Sequence, residues 1–302
     1  MTSATVRVPA KINLCLGVGP VRDDGFHPLA TVYQALDLHD EIRASLDETG
    51  TLSVVTHATE EERADVPEGM DNLALQAAAL LREETGVEAG AEVAIRKVIP
   101  VAGGLAGGSA DAAATLVACN EIWGTGLSRH DLEPLAAELG SDVPFLLHGG
   151  NAIGGGRGET VSPVLARGSY HWVLAVAEQG LSTASVYAEF DRLTEGREVA
   201  DPEISDTLLG ALRSGDAELL GLALSNDLTE AALSLRPELQ STLNLGREAE
   251  ALGAIISGSG PTCLFLAQDE EHSLDIAIAL AGAGACADVV QARGPVPGVR
   301  FV

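Results

Sequence analysis

The most constraining feature of this sequence is a glycine-rich segment, PVAGGLAGGS, at residues 100–109. Apolar residues alternate through residues 91–99, which predicts a strand, and recur near helical spacing through residues 110–123. The first N–H groups of a helix lack intrahelical partners, and the helix dipole makes that end positive. Because glycines let the backbone close around an anion, this strand, loop and helix predict a phosphate-binding site.

The loop matches neither of the two commonest phosphate-binding patterns. It contains no G-x-x-x-x-G-K-[ST] sequence and no G-x-G-x-x-G sequence. The alternative interpretation is a tight strand-to-helix turn without a ligand. Four glycines and a serine at the start of the helix favour phosphate binding over that alternative.

Composition limits the partners and the location of the protein. The 302 residues carry a formal net charge of −26, which argues against nucleic acid and anionic membranes as partners. The N-terminal residues lack the apolar core of a signal peptide, and no apolar run is long enough to span a membrane, so we expect a cytoplasmic protein. The four cysteines, Cys15, Cys119, Cys263 and Cys286, are far apart in sequence and are expected to be reduced and mostly buried.

The pattern of elements favours an α+β architecture, with an N-terminal domain over residues 1–160 and a C-terminal domain over residues 161–302. Strands are predicted at residues 5–18, 30–38, 42–46, 52–56, 91–99, 172–177, 254–257 and 262–266, and 42–46 is expected to form a hairpin with 52–56. Helices are predicted at residues 71–85, 110–123, 129–139, 185–193, 204–210, 217–224 and 237–252. Residues 149–158 are predicted to be turns, and Asp71 or Asn72 is expected to cap the first helix.

Three motifs together resemble those of the GHMP kinases. They are PAKINL at residues 9–14, the glycine loop at 100–109, and SGSGPT at 257–262, so the resemblance extends over most of the chain. It implies the two-domain α+β GHMP kinase fold, with an N-terminal domain like ribosomal S5 domain 2. It also implies ATP and Mg²⁺ as cofactors and phosphoryl transfer to a small-molecule alcohol.

Further strings point to one branch of that family. DGFH at residues 24–27, DNL at 71–73 and GSDVPF at 140–145 resemble the branch that phosphorylates a cytidyl diphosphate sugar alcohol in isoprenoid biosynthesis. Three alternatives remain: another GHMP kinase, such as a homoserine or mevalonate kinase, a regulatory nucleotide-binding protein of the same fold, or an RNA-binding protein. The negative charge argues against the last of these.

The resemblance assigns Lys11 and Asp142 catalytic roles and places Lys97 near the nucleotide. These are chemically reasonable roles, because a carboxylate can accept the proton of the alcohol while a lysine offsets phosphoryl charge. Ordinary structural roles are the alternatives: Lys11 and Lys97, the only lysines, would be surface residues, and Asp142 would cap a turn.

The remaining assignments also follow the resemblance, and no residue is assigned as a metal ligand. ATP is expected at Asn72, Lys97, Pro100, Val101, Ala102, Gly103, Gly104, Leu105, Ala106, Gly107, Gly108, Ser109 and Ala110. The acceptor is expected at Asn13, Phe26, His27, Tyr187, Gly258, Ser259 and Gly260, with Phe26 and Tyr187 stacking on the cytosine. For Asn72 and Ser109 a helix N-cap is the alternative, and Ser109 could instead coordinate Mg²⁺.

The sequence departs from the usual family pattern at three of these positions. Phe26 stands where tyrosine is more usual, which keeps a stacking ring and removes a phenol. Ala106 replaces a common glycine and must adopt a backbone conformation that a Cβ can accept. Ala110 replaces a common serine and removes one hydroxyl.

Overall fold

A computed structural model describes residues 2–57, 66–67, 69–101 and 103–302 of the chain. Ala102, one of the predicted loop residues, lies outside the described residues. The strands are β1 (Ser3–Val18), β2 (Leu29–Asp47), β3 (Leu52–His57), β4 (Gly90–Arg96), β5 (Asn151–Gly155), β6 (Thr160–Pro163), β7 (Tyr170–Val176), β8 (Ser225–Asn226), β9 (Gly253–Ile256), β10 (Cys263–Ala267), β11 (Asp288–Gly294) and β12 (Arg300–Phe301).

The described residues also form ten α-helices, which confirms the predicted α+β class. The helices are α1 (Leu73–Thr85), α2 (Gly107–Trp123), α3 (Arg129–Leu139), α4 (Val143–His148), α5 (Thr183–Thr194), α6 (Asp206–Ser214), α7 (Ala217–Ala223), α8 (Thr229–Leu235), α9 (Leu239–Glu248) and α10 (Glu270–Ala283). A short 3₁₀ turn, Gly69–Asp71, precedes α1. Neither α10 nor β11 was predicted from the sequence.

The first sheet has the strand order β12-β1-β2-β4-β3, and β5, β6 and β8 extend it. The predicted hairpin between residues 42–46 and 52–56 is wrong, because β4 lies between β2 and β3 and pairs with β3 in parallel. The break predicted after residue 38 is also wrong, since β2 continues through it as one strand. Part of the predicted turn at 149–158 is instead β5, which pairs with β2.

Helices α1 and α2 cover the inner face of this sheet. The side of α2 that meets the sheet and α1 is rich in alanine, so it can approach closely and leave the loop before α2 beside β1. Asn72 caps α1 by accepting a hydrogen bond from the Ala74 N–H at 2.9 Å, which settles the choice between Asp71 and Asn72. Helix α2 begins at Gly107, three residues earlier than predicted.

The second sheet has the order β11-β7-β10-β9 and packs with α9 and α10. The two sheets are joined by a side-chain contact, because Trp172 of β7 donates a hydrogen bond to the Gln34 side chain of β2 at 2.8 Å. Three of the cysteines are buried and all four are free thiols, as predicted. Among the described residues, no helix combines the length and the apolar character needed to cross a membrane.

Candidate active site

Strand β1 carries Lys11 into a cleft of about 910 Å³. The Lys11 ammonium donates a hydrogen bond to Asn13 Oδ1 at 2.8 Å, and Asn13 Nδ2 donates to Thr31 Oγ1 at 2.7 Å. Thr31 in turn donates to the Cys15 carbonyl oxygen at 2.6 Å. Because Lys11 is buried, this chain of hydrogen bonds fixes the direction of its side chain.

Asp142 meets Lys11 at the floor of the cleft. One carboxylate oxygen of Asp142 lies 3.4 Å from Lys11 Nζ. Asp142 occupies the N-cap position of α4, but its side chain makes no capping hydrogen bond. The alternative role, a helix or turn cap, is therefore absent, and the carboxylate, with 28% of its side chain exposed, faces the cleft.

Tyr33 is a cleft residue that the sequence analysis did not identify. Its ring lies 5.6 Å from Lys11 Nζ and stacks on Phe145 with the ring centroids 4.9 Å apart. Burial, together with the nearby charge of Asp142, raises the pKa of Tyr33 well above its ordinary value. Tyr33 therefore stays a neutral phenol beside the ion pair.

The glycine loop forms the wall of the cleft next to Lys11. The Lys11 N–H donates to the Leu105 carbonyl oxygen at 3.2 Å, which fastens the loop to β1. The loop and first turn of α2 contribute six described lining residues: Gly103, Gly104, Ala106, Gly107, Gly108 and Ser109. The helix therefore begins at the cleft, in the arrangement that favours anion binding.

The residues of the glycine loop and the start of α2 differ in whether they line the cleft or pack in the core. Ala106, not Ser109, occupies the N-cap position of α2, so the N-cap alternative for Ser109 is wrong and its hydroxyl faces the cleft. Ala106 adopts the left-handed conformation, with φ of 60°. Leu105 and Ala110 are buried in the core, and Pro100 and Val101 do not line the cleft.

The SGSGPT segment closes the cleft below Lys11. Gly258 has φ of +55°, and a Cβ there would lie 3.3 Å from Asn13 Oδ1, so conformation and space both favour glycine. Asn226, another residue missed from the sequence, donates to the Gly258 carbonyl oxygen at 2.7 Å. Ser259 also lines the cleft, whereas Gly260 does not.

His27 lies at the far end of the cleft and is held on several sides. Its Nδ1–H donates to the Gly19 carbonyl oxygen at 2.8 Å, and its Nε2 lies 3.4 Å from an Asp191 carboxylate oxygen. The Tyr187 ring stacks on the imidazole at a centroid distance of 5.3 Å. Asp191 was not predicted, but it lies four residues after Tyr187, on the same face of α5.

Phe26 stands at the mouth of this end, about half exposed. The Arg157 guanidinium lies 4.8 Å from the centre of the Phe26 ring, a cation–π contact. Arg157 also lines the cleft and was not identified from the sequence. Phe26, Arg157 and Tyr187 thus bring two aromatic rings and a cation to one end of the cleft.

The two residues assigned to ATP outside the loop and α2, Asn72 and Lys97, also do not line the cleft. The Asn72 side chain accepts from Ala74 as described and donates to the Pro67 carbonyl oxygen at 3.0 Å, so both ends of its amide are engaged. Lys97 is buried in ion pairs with Asp40 and Asp111. The structure therefore does not bring Lys97 together with Lys11 and Asp142.

The cleft offers Mg²⁺ few protein ligands. The described residues contain no cluster of three or more His, Cys, Asp or Glu side chains suited to a metal ion. The Ser109 hydroxyl and the Asp142 carboxylate do line the cleft. Because Mg²⁺ is commonly held by one or two side-chain oxygens together with substrate phosphates, a hydroxyl such as that of Ser109 fits a site of that kind.

Comparison with known proteins gives consistent matches over the whole chain. The family models described as GHMP kinases N terminal domain and GHMP kinases C terminal match residues 72–150 and 208–286. A relative from Thermobifida fusca, named 4-diphosphocytidyl-2-C-methyl-D-erythritol kinase, is 52% identical over 100% of this chain and 99% of its own length. A relative of the same name from Salinispora tropica is 54% identical over 98% and 93%.

The fold also matches a solved structure. The crystal structure of a 4-(cytidine 5′-diphospho)-2C-methyl-D-erythritol kinase aligns with a TM-score of 0.74 at 30% identity, covering 95% of this chain and 98% of that one. The two-domain fold expected from the motifs is therefore confirmed.

Proposed function

Because the chain belongs to the GHMP kinases, we propose that it transfers the γ-phosphoryl group of ATP to the 2-hydroxyl of 4-diphosphocytidyl-2-C-methyl-D-erythritol, a step of non-mevalonate isoprenoid biosynthesis. The observation that carries this proposal is the pairing of Lys11 with Asp142 at 3.4 Å beside the N-terminus of α2. A base, a cation and an anion-binding helix end are the parts that phosphoryl transfer to an alcohol requires.

In the proposed reaction, Asp142 accepts the proton of the attacking hydroxyl. Lys11 offsets the negative charge that develops on the transferring phosphoryl group, and its hydrogen bond to Asn13 holds it in place for this. The N–H groups of the loop and of the first turn of α2 bind the other phosphate oxygens. Mg²⁺, held by the ATP phosphates with Ser109, would supply further neutralisation of phosphate charge.

The far end of the cleft would bind the cytidine diphosphate part of the acceptor. Phe26 and the face of Tyr187 that is not stacked on His27 offer aromatic surfaces for the base. His27 Nδ1 is bonded to Gly19, so Nε2 is the ring nitrogen that offers a hydrogen bond to the edge of the base. Arg157 supplies a positive charge in a protein whose net charge is −26. ATP and a nucleotidyl sugar alcohol are cytoplasmic metabolites, so we propose that the enzyme works in the cytoplasm.

The test is ADP release from Mg·ATP with four acceptors: the cytidyl substrate, homoserine, mevalonate and galactose. We expect turnover of the cytidyl substrate alone. In Asp142→Asn we expect kcat to fall about 10²- to 10⁴-fold, the usual contribution of a positioned general base, with ATP binding preserved.

Other outcomes would replace the proposal with a definite alternative. Turnover of homoserine, mevalonate or galactose in place of the cytidyl substrate would support a kinase activity. It would also show that the far end of the cleft binds a different acceptor. ATP binding without turnover of any acceptor would favour a regulatory nucleotide-binding protein. Unchanged kcat in Asp142→Asn would remove Asp142 from the chemistry.

A further inference from the structure

Three ionisable side chains meet behind the glycine loop, outside the cleft. Lys97 Nζ lies 2.5 Å from Asp40 Oδ2 and 2.9 Å from Asp111 Oδ2. The side chains of Lys97, Asp40 and Asp111 are only 2%, 0% and 5% exposed. A Cβ added to Gly107 would lie 3.1 Å from Lys97 Nζ, so the ammonium lies directly against the first residue of α2.

Asp40 fixes the chain where it enters the loop. Its second carboxylate oxygen, Oδ1, accepts the N–H groups of Val98 and Ile99 at 2.6 and 2.9 Å. These two residues immediately precede Pro100, the first residue of the loop. The long strand β2 thus holds the entry to the loop through one carboxylate.

Asp111 fixes the chain where it leaves the loop. It lies in the second turn of α2, and its contact with Lys97 joins that helix to the chain just after β4. Lys97 therefore bridges the two ends of the loop, with Asp40 on one side and Asp111 on the other. The glycines between these ends lack side chains that could hold the loop in shape, so the buried bridge adds a constraint at the ends of the loop to the hydrogen bond from Lys11 to Leu105.

The same geometry argues against a direct contact between Lys97 and a nucleotide. To reach the cleft, the ammonium would have to leave the buried Asp40 carboxylate without a counter-charge and the buried Asp111 carboxyl group without its partner. Leaving a buried charge unpaired is strongly unfavourable, and Asp111 Oδ1 already has no hydrogen-bond donor among the described residues. This cost favours the buried position of Lys97 over one in contact with phosphate.

We propose that Asp40, Lys97 and Asp111 are positioning residues that hold the glycine loop in its phosphate-binding shape, so that Lys97 affects ATP binding through the loop and not by contact. This inference rests on the proposed function, which assigns ATP to the loop. It differs from the expectation of the sequence analysis, in which Lys97 lies beside the nucleotide.

The test is a double-mutant cycle of Lys97→Met and Asp40→Asn, read out as the KM values for ATP and for the acceptor. We expect each single variant to raise the KM for ATP about tenfold to a hundredfold, as a displacement near 1 Å can do, and to leave the KM for the acceptor unchanged. The double variant should be no worse than the poorer single variant, because both changes break one unit. Arg96→Met, which removes an exposed charge next to Lys97, is the matched control and should change neither KM.

Three results would overturn the proposal. If Lys97 touches phosphate, Lys97→Met raises the KM for ATP while Asp40→Asn, which removes one of the two acidic partners of the ammonium, leaves it unchanged or lowers it. If the three residues only support the fold, the variants lose active protein and apparent kcat with both KM values unchanged. Asp111→Asn keeps an acceptor for Lys97, so it is the milder variant and is expected to raise the KM for ATP less than the other two. If Lys97→Met and Asp40→Asn do not fold, Asp111→Asn is the remaining test. An unchanged KM for ATP in that variant would overturn the proposal.

The experiment also separates this proposal from the proposed function. The same variants are titrated with ATP in a calorimeter, which requires no acceptor and no turnover. A wild-type protein that binds ATP but phosphorylates no acceptor would end the proposed function, while coupled losses of ATP affinity in Lys97→Met and Asp40→Asn would still support the positioning role.

Discussion

The Ser257 hydroxyl donates a hydrogen bond to the Gly104 carbonyl oxygen at 3.0 Å, which joins the two glycine-rich loops of the cleft. Gly104 has φ of +74°, and a Cβ there would overlap the Ser257 carbonyl oxygen. The loop that faces phosphate and the loop beneath Lys11 are therefore packed backbone to backbone. A side chain at position 104 would force them apart.

Gly104→Ala is expected to destabilise the protein and to raise the KM for ATP. The left-handed conformation alone costs an alanine about 1 to 2 kcal/mol. The overlap with backbone atoms that cannot rotate away adds to that cost. Urea unfolding and ATP kinetics measure the two effects.

Gly86→Ala is the control for Gly104→Ala, because it introduces conformational strain without an overlap with neighbouring atoms. Gly86 ends α1 with φ of +66°, and a Cβ there would contact nothing within 4 Å. We expect it to lose about 1 kcal/mol of the free energy of unfolding with an unchanged KM for ATP. Equal effects of the two substitutions would show that the contact between the loops contributes nothing.

Much of the cleft was predictable because many of its residues lie in short continuous segments of the sequence. Lys11 and Asn13 lie two residues apart on a strand and so point to the same side, and the glycine loop is bounded by a strand and a helix. The ion pair of Lys11 with Asp142 joins distant segments, and only the resemblance to a family suggested it.

The errors come from long-range pairing that local patterns do not contain. Residues 42–46 and 52–56 have the alternation of a hairpin, but β4 lies between these two strands and pairs with both β2 and β3. The resemblance placed Lys97 near the nucleotide, whereas in the structure it pairs with Asp40, which lies 57 residues earlier in the chain. Burial of that pair cannot be deduced from the spacing of either residue.

Ala106→Gly should stabilise the protein. Ala106 has φ of 60°, a conformation that costs an alanine about 1 to 2 kcal/mol, and glycine avoids this cost while losing about 0.5 to 1 kcal/mol in unfolded-chain entropy. A net gain of about 0.5 to 1 kcal/mol in the free energy of unfolding is expected by urea titration. Ala113→Gly, at a buried position within α2, is the control and should lose about 2 kcal/mol, because it lowers helix propensity and also removes a buried methyl group.

The stability of the protein should fall as pH rises above the ordinary carboxyl range, because of Asp111. Burial raises the pKa of Asp111, and the Asp40 charge adds to this, while Lys97 opposes it. The folded chain therefore holds a proton that the unfolded chain releases above about pH 4, so the free energy of unfolding declines with pH until the raised pKa is passed. Asp111→Asn should remove this decline, measured by urea unfolding between about pH 5 and about pH 8.

Asp131→Asn is the control for that experiment. Hydrogen bonds from Ser128 lower the pKa of the exposed Asp131, so this carboxylate stays ionised in both states throughout the range. Its difference from wild type should not vary with pH. An equal pH slope in Asp111→Asn and wild type would show that Asp111 releases its proton in the ordinary range.

Phe26 should govern acceptor binding through stacking alone. Its ring is about half exposed at the mouth of the cleft, with Arg157 on it and no hydroxyl to hydrogen-bond. Stacking of a base on an aromatic ring contributes about 1 to 3 kcal/mol, so Phe26→Leu should raise the KM for the cytidyl acceptor about fivefold to a hundredfold and leave the KM for ATP unchanged. Phe26→Tyr, the residue more usual in the family, keeps the ring and should match wild type. A leucine variant with an unchanged acceptor KM would move the base-binding position elsewhere in the cleft.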